Sequence, residues 1–347
     1  MIAPRLAAVA TAVPPHVIRQ KDVIEWTTRI FDRKRSEIER LMPVYANAGI
    51  ETRHSCVPID WYAQEHSWAE RNAVYVENAV QLLAEAATRC LEQAGRGFAD
   101  IDALVTVSTT GISTPSLDAL LLERLPFRRD VMRLPVFGLG CAGGVLGLAR
   151  AASIARAQPG SRVLFLVVEL CALTFRKRDQ SKSNIIATAL FGDGAAAALL
   201  ESEADGPSVG AWGEYTWPDS LDVMGWHITD DGLGVLFSRD IPTLVRTQFR
   251  DAADGFLRSR GLDVKDIDAF VCHPGGAKVI SALEEAFGMP EGTLDEARAV
   301  LRRYGNMSAA TVLFVLERML ASQCRRYLMT ALGPGFTAGF LTLEHPA

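Results

Sequence analysis

Apolar and polar positions along the chain follow two rhythms. In "VENAVQLLAEAATRCLEQAG" (residues 76–95) apolar residues recur three and four apart up to a closing glycine, which predicts an amphipathic helix. "DIDALVTVSTTG" (100–111) then predicts a capped apolar strand. A further helix runs from Ala142 and stops at Gln158-Pro159-Gly160. Beyond it, "RVLFLVVEL" (162–170) is apolar almost throughout, as in a strand buried on both faces. Helical and strand patterns alternate in this way along the chain, which predicts an α/β fold.

The pattern also repeats. "DIDALV" at 100–105 returns as "DIDAFV" at 266–271, an offset of 166, and each follows a helix ending in a glycine-containing loop. "GLGCAGGVLGLA" around Cys141 has its counterpart in "RYGNMSAATVLF" around Asn306, an offset of 165. Two matches at nearly the same offset predict an internal duplication. The expected halves are residues 1–203 and 204–347, joined near "ESEADGPSVG" (201–210), with helices covering the sheets. Cys141 and Asn306 then become symmetry mates, each at the entry to a buried central helix. His273, in "VCHPGG", follows the strand that matches the one ending at Val107.

Composition narrows the function. With 347 residues, 49% of them hydrophobic, the chain can bury a large core, and a net charge of −5 leaves no basic footprint for nucleic acid. The six cysteines are scattered without a CxxC pair, which predicts reduced thiols in a cytoplasmic protein and no metal site. The N-terminal stretch contains Pro4, Arg5 and Pro14-Pro15 and reads as strand and turn, not as a signal peptide. No apolar run is long enough to span a bilayer.

Cys141 stands among glycines where a strand pattern gives way to a helix. A thiol there lies at a helix N-terminus, whose dipole favours the thiolate. Taken singly, Cys141 reads as a core packer, His273 as a hydrogen-bonded strand-end residue and Asn306 as a turn former. Brought together by the duplication, they offer a nucleophile and two donors for a developing oxyanion. Such a set suits acyl transfer followed by carbanion chemistry at the carbonyl. "GLGCAGG" has the glycines of a dinucleotide loop but lacks the acidic residue expected about 20 positions on.

"GCAGG" at Cys141, "FGDGAAA" at Phe191, "HPGG" at His273, "YGNMSAA" at Asn306 and the closing "LGPGF" (332–336) together resemble the type III polyketide synthases, the chalcone and stilbene synthase family. The likeness covers essentially the whole chain in order. β-Ketoacyl-ACP synthases III share the Cys/His/Asn set but do not usually carry "HPGG" or the closing loop. The resemblance implies a thiolase-like layered αβαβα fold and a homodimer. It makes Cys141 the acyl carrier, with His273 and Asn306 stabilising the thioester oxygen and the enolate left when malonyl-CoA loses CO2. It calls for no metal or cofactor, only CoA thioesters as substrates.

The resemblance also assigns the walls. Phe191 matches the phenylalanine that gates the CoA tunnel, while Val235 stands where the family has a second, which loosens the passage. Thr109 and Thr110 match a polar wall, and Thr114 the residue that reaches into the partner's cavity. Cys171 replaces the threonine of plant members, Trp226 replaces a frequent glycine, and Thr174 is a further wall position. Gly333, Pro334 and Gly335 form the scaffold loop. Arg40 matches a basic residue used on CoA phosphates, Pro43 and Asn47 replace two others, and Lys278 is a further candidate. Cys171 with small neighbours occurs in bacterial members that take fatty acyl starters and in those that make tetrahydroxynaphthalene from malonyl-CoA alone. The expected activity is extension of a medium or long acyl-CoA to alkylpyrones or alkylresorcinols. The alternatives are the tetrahydroxynaphthalene reaction, or a single condensation as in β-ketoacyl-ACP synthase III or hydroxymethylglutaryl-CoA synthase.

Overall fold

The computed structural model describes residues 3–30 and 42–345; Arg40 lies outside the described residues. Its strands are β1 (Arg5–Ala12), β2 (His16–Arg19), β3 (Thr52–Ser55), β4 (Ala103–Val107), β5 (Met132–Val136), β6 (Val163–Leu170), β7 (Asp193–Glu201), β8 (Ser208–Thr216), β9 (Met224–Thr229), β10 (Gly232–Phe237), β11 (Ala269–Cys272), β12 (Arg326–Gly333) and β13 (Thr337–Glu344). β2 pairs with β3 and β9 with β10, while the other nine form one sheet in the order β11-β12-β13-β8-β1-β7-β6-β4-β5.

The sheet carries the duplication in its pairings. β4 runs parallel to β6, β6 antiparallel to β7, and β7 antiparallel to β1. The same series recurs as β11, β12, β13 and β8. The sequence repeat is thus a repeat of topology. The two half-sheets are not separate, however. β1 and β8 meet at Arg5 and Ser208, stitched by Leu6 N–H to the Pro207 carbonyl (2.9 Å) and Val209 N–H to the Pro4 carbonyl (2.7 Å).

Strand alternation sorts the apolar residues into layers. Val163, Phe165 and Val167 of β6 join the core around the central helices, while Leu164, Leu166 and Val168 join the core under the helix Trp68–Ala94. That long helix starts where Ser67 and Glu70 cap each other, eight residues earlier than the pattern from Val76 predicts, and ends at Gly95 with φ 64°. Between the half-sheets lie the helices Gly143–Ala157 and Thr311–Met319, each entered through a short 3-10 turn, Gly140–Ala142 and Ser308–Ala310. Small residues permit this central packing. A Cβ on Gly147 would sit 2.5 Å from Phe165, and one on Gly144 only 2.2 Å from the Ala309 carbonyl oxygen. The two helix entries therefore touch at the middle of the molecule.

Candidate active site

Cys141, His273 and Asn306 line one cavity of about 420 Å3, each almost wholly buried. Local sequence explains each position. Cys141 occupies the 3-10 turn before the central helix; Gly140 precedes it at φ 48°, and a Cβ there would strike Pro334 at 2.5 Å. His273 follows β11, its N–H bonded to the Thr330 carbonyl at 2.9 Å. Asn306 pairs through its backbone with the chain next to Phe191: its N–H reaches the Leu190 carbonyl (2.8 Å), and Gly192 N–H reaches the Asn306 carbonyl (3.0 Å).

The Asn306 side chain is oriented from both ends. Its Oδ1 accepts from Ser308 N–H at 2.8 Å and its Nδ2 donates to the Gly275 carbonyl at 3.1 Å. One amide hydrogen remains unused by the protein. Both ring nitrogens of His273 are buried without a protein partner, so its donor and acceptor are also unused by the protein.

Burial acts on both reactive groups. It pushes the Cys141 thiol up to about 12, against the smaller downward pull of the Ser308 hydroxyl, and the His273 imidazole down to about 3. Desolvation thus favours the neutral form of each, in opposition to the helix N-terminus, which favours the thiolate. Beneath the Cys141 turn lies a carboxyl that the motifs did not reveal. Glu169 Oε2 accepts from Thr109 N–H (3.0 Å) and the Thr110 hydroxyl (2.8 Å), while Thr109 Oγ1 accepts from Gly140 N–H (3.2 Å). Burial raises Glu169 to about 7 despite these bonds. Its signal was in view: an acid inside the apolar run "RVLFLVVEL".

Comparison with known proteins places this arrangement. The profile of the chalcone and stilbene synthase N-terminal domain matches residues 3–204, and that of the C-terminal domain residues 213–344. The chain belongs to the chalcone and stilbene synthase family. It is 39% identical to a putative chalcone synthase of Bacillus subtilis, over 97% of this chain and 97% of that protein. It is 40% identical to a 1,3,6,8-tetrahydroxynaphthalene synthase of Streptomyces peucetius, covering 98% and 92%. The solved structure of the Streptomyces coelicolor tetrahydroxynaphthalene synthase superposes with a TM-score of 0.94 at 27% identity, covering 99% of each chain. The enzyme is a type III polyketide synthase, an acyltransferase working by decarboxylative Claisen condensation, on a thiolase-like fold. No described helix is long and apolar enough to cross a membrane.

The wall residues divide into groups. Thr109 and Thr110 are buried in the Glu169 network, and Trp226 Nε1 donates to the Thr109 carbonyl at 2.9 Å. Phe191, Cys171 and Thr174 line a second, apolar pocket of about 60 Å3, and the Thr174 hydroxyl donates to the Cys171 carbonyl. Arg53, wholly buried, fixes the backbone there by donating to the carbonyls of Phe191 (3.1 Å) and Thr188 (2.6 Å). Thr114 is exposed on a surface loop and lines neither cavity. Gly333 and Pro334 press on the Cys141 turn: a Cβ on Gly333 would lie 2.4 Å from the Leu139 carbonyl oxygen, and Gly335 turns the chain at φ 80°.

Val235 lies where the sequence reading places it, beside Phe191. Phe237, two residues on and on the same face of β10, brings its ring to 5.7 Å from Phe191. Trp226 meets Phe191 edge-on at 6.3 Å. Two aromatic rings, Phe237 and Trp226, thus pack against Phe191. Lys278 lies exposed at the mouth of the catalytic cavity, together with Lys182 and Arg239, which sequence reasoning missed.

Proposed function

We propose that this synthase loads an acyl group from a CoA thioester onto Cys141 and extends it with malonyl-CoA, two carbons per round. The observation that carries the reading is the convergence of Cys141 with His273 and Asn306, both with unspent polar atoms, in one buried cavity. As Cys141 Sγ attacks the thioester carbonyl, its proton passes to the neutral His273 ring and then to the departing CoA sulfur. A ring N–H of His273 and the unused amide hydrogen of Asn306 stabilise the oxyanion. When malonyl-CoA loses CO2, the same two donors hold the enolate, whose carbon attacks the Cys141 thioester and releases the sulfur for the next transfer.

The starter we propose is a medium or long fatty acyl chain, with alkylpyrones or alkylresorcinols as products. Its support is the apolar pocket beyond Cys171, lined by Ile18, Val23, Trp26 and Phe175, with no carboxylate among its lining residues. The second reading, tetrahydroxynaphthalene formation from malonyl-CoA alone, is favoured by the 40% identity to a relative bearing that name. A mass-spectrometric product scan separates the two. Chain-length-dependent pyrones or resorcinols from acyl-CoA starters support the first; a product from malonyl-CoA alone in place of them replaces it with the second.

We also propose a homodimer formed along β5, the exposed sheet edge. Leu134 and Phe137 stand out there, Phe137 at 55% exposure, with Ile112 and Thr114 on the neighbouring loop. Sedimentation equilibrium should give twice the chain mass of 37.7 kDa, and a monomer at micromolar concentration would refute it.

A further inference from the structure

Asn306 owes its place to a crossing of two chain segments, and a residue far from both in sequence holds that crossing. The bridge between Phe191 and Asn306 lies outside the strands of the main sheet. It consists of two backbone hydrogen bonds, Asn306 N–H to the Leu190 carbonyl (2.8 Å) and Gly192 N–H to the Asn306 carbonyl (3.0 Å). Arg53 of β3 lies against it: a Cβ on Gly192 would sit 3.3 Å from the Arg53 Cβ, and one on Gly305 3.5 Å from it. From there the guanidinium reaches the end of the helix Lys182–Leu190. Its Nη1 donates to the carbonyls of Thr188 (2.6 Å) and Phe191 (3.1 Å), and its Nη2 to the Ala189 carbonyl (3.0 Å) and to Gln20 Oε1. Four of its five N–H donors are thus used, and Nε alone has no partner. The chain entering β3 grips the other segment. Glu51 N–H donates to the Arg302 carbonyl (2.8 Å), and the Thr52 hydroxyl to the Arg303 carbonyl (2.7 Å).

A guanidinium taken out of water is costly, and Arg53 is only 3% exposed. Burial lowers it to about 10, so it stays charged at neutral pH. As a helix cap it would satisfy the last carbonyls of Lys182–Leu190, an end that favours a cation. Capping does not account for the bond to Phe191, beyond the helix end, nor for the grip of Glu51 and Thr52 on the opposite segment. Both belong to the crossing that carries Asn306. We infer that Arg53 is a positioning residue for Asn306: with the two residues before it, it holds both sides of the Phe191–Asn306 bridge and so aims the free amide hydrogen at the developing charge. This rests on the reading of Asn306 as an oxyanion donor. A misplacement of about 1 Å in such a site costs about 100-fold in rate.

The test measures malonyl-CoA decarboxylation by the full-length enzyme in Arg53→Lys, Arg53→Met, Asn306→Ala and the double variant Arg53→Lys/Asn306→Ala. Arg53→Lys keeps the charge but not the fork, and should lower kcat about tenfold; Arg53→Met should lower it about 100-fold. KM should stay within about twofold in both, because the lost interaction is made in the transition state. In the Asn306→Ala background, Arg53→Lys should change kcat by less than about twofold, since the group it positions is gone. Alkylation of Cys141 by iodoacetamide, which does not use Asn306, should stay within about twofold of wild type. Should Arg53→Met fail to fold, Gln20→Met removes one acceptor of Nη2 and should cost about threefold, a loss that again vanishes beside Asn306→Ala. A full further loss in the double variant, or an equal slowing of Cys141 alkylation, marks a general structural role and overturns the proposal. So does wild-type decarboxylation in Arg53→Lys. Wild-type decarboxylation in Asn306→Ala removes the oxyanion reading itself, and the positioning role with it.

Discussion

The two 3-10 turns at the centre of the molecule occupy equivalent places in its halves but are held differently. The Asn306 turn caps itself: Asn306 Oδ1 takes Ser308 N–H, and Thr311 Oγ1 takes Met307 N–H at 2.9 Å and donates to the Ser308 carbonyl. The Cys141 turn has no such caps and is held from a distance. Gly140 N–H leans on Thr109, Thr109 on Glu169, and the Gly333-Pro334 loop presses from the other side. The difference follows from the role of each turn. A capping side chain at the Cys141 turn would occupy the donors and space that an acyl group needs. The asparagine turn needs the reverse, a side chain locked so that one amide hydrogen points where charge develops.

Removing the reactive groups should break the comparison most sharply. Cys141→Ala should cut product formation by about 10,000-fold or more, because no other cysteine lines the cavity among the described residues. Unfolding by urea should be nearly unchanged, and full turnover would end the mechanism. Asn306→Ala and His273→Gln should slow malonyl-CoA decarboxylation by about 100- to 1,000-fold, the usual loss on removing an oxyanion donor. Wild-type decarboxylation in both would cancel their assigned role.

A structural effect comes next. Gly144→Ala drives a Cβ into the Ala309 carbonyl, where the two turns meet, and should cost about 3 kcal/mol or more of stability by denaturant titration. A neutral result would mean that the helices slide apart easily.

The smallest effect concerns the remote support of the Cys141 turn. Burial raises Glu169 from 4.5 to about 7 in the folded protein, so its contribution favours folding below pH 4.5 and is lost as pH rises through 7. The stability difference between wild type and Glu169→Gln should therefore move against wild type by up to about 3 kcal/mol between pH 4.5 and 7. Comparing the two proteins at each pH cancels His273, whose depressed pKa acts in the opposite sense as pH falls below 6.5. A flat difference would place Glu169 in a better-solvated site.

Much of this was legible in the residues. The "DIDALV"/"DIDAFV" repeat located two equivalent strands, β4 and β11, and the glycines around Cys141 marked the entry to a central helix. Phe237 was passed over because Val235 was considered by position alone, while Phe237 lies one repeat further along the same face with its ring against Phe191. Lys182 and Arg239 carried no signal at all, since a cation at a helix start or after a strand looks the same whether or not a cavity opens beside it.

The sequence by itself determined the order of elements, their duplication, the family and the three residues most suited to its chemistry, because periodicity and motif spacing are local properties of a chain. Only the tertiary structure decided that Cys141 and His273 are buried in one cavity, that Glu169 underlies the nucleophile turn, and that three exposed cations line that same cavity. Those depend on desolvation and on distances between residues far apart in the chain, and both exist only once the two halves have closed on their central helices.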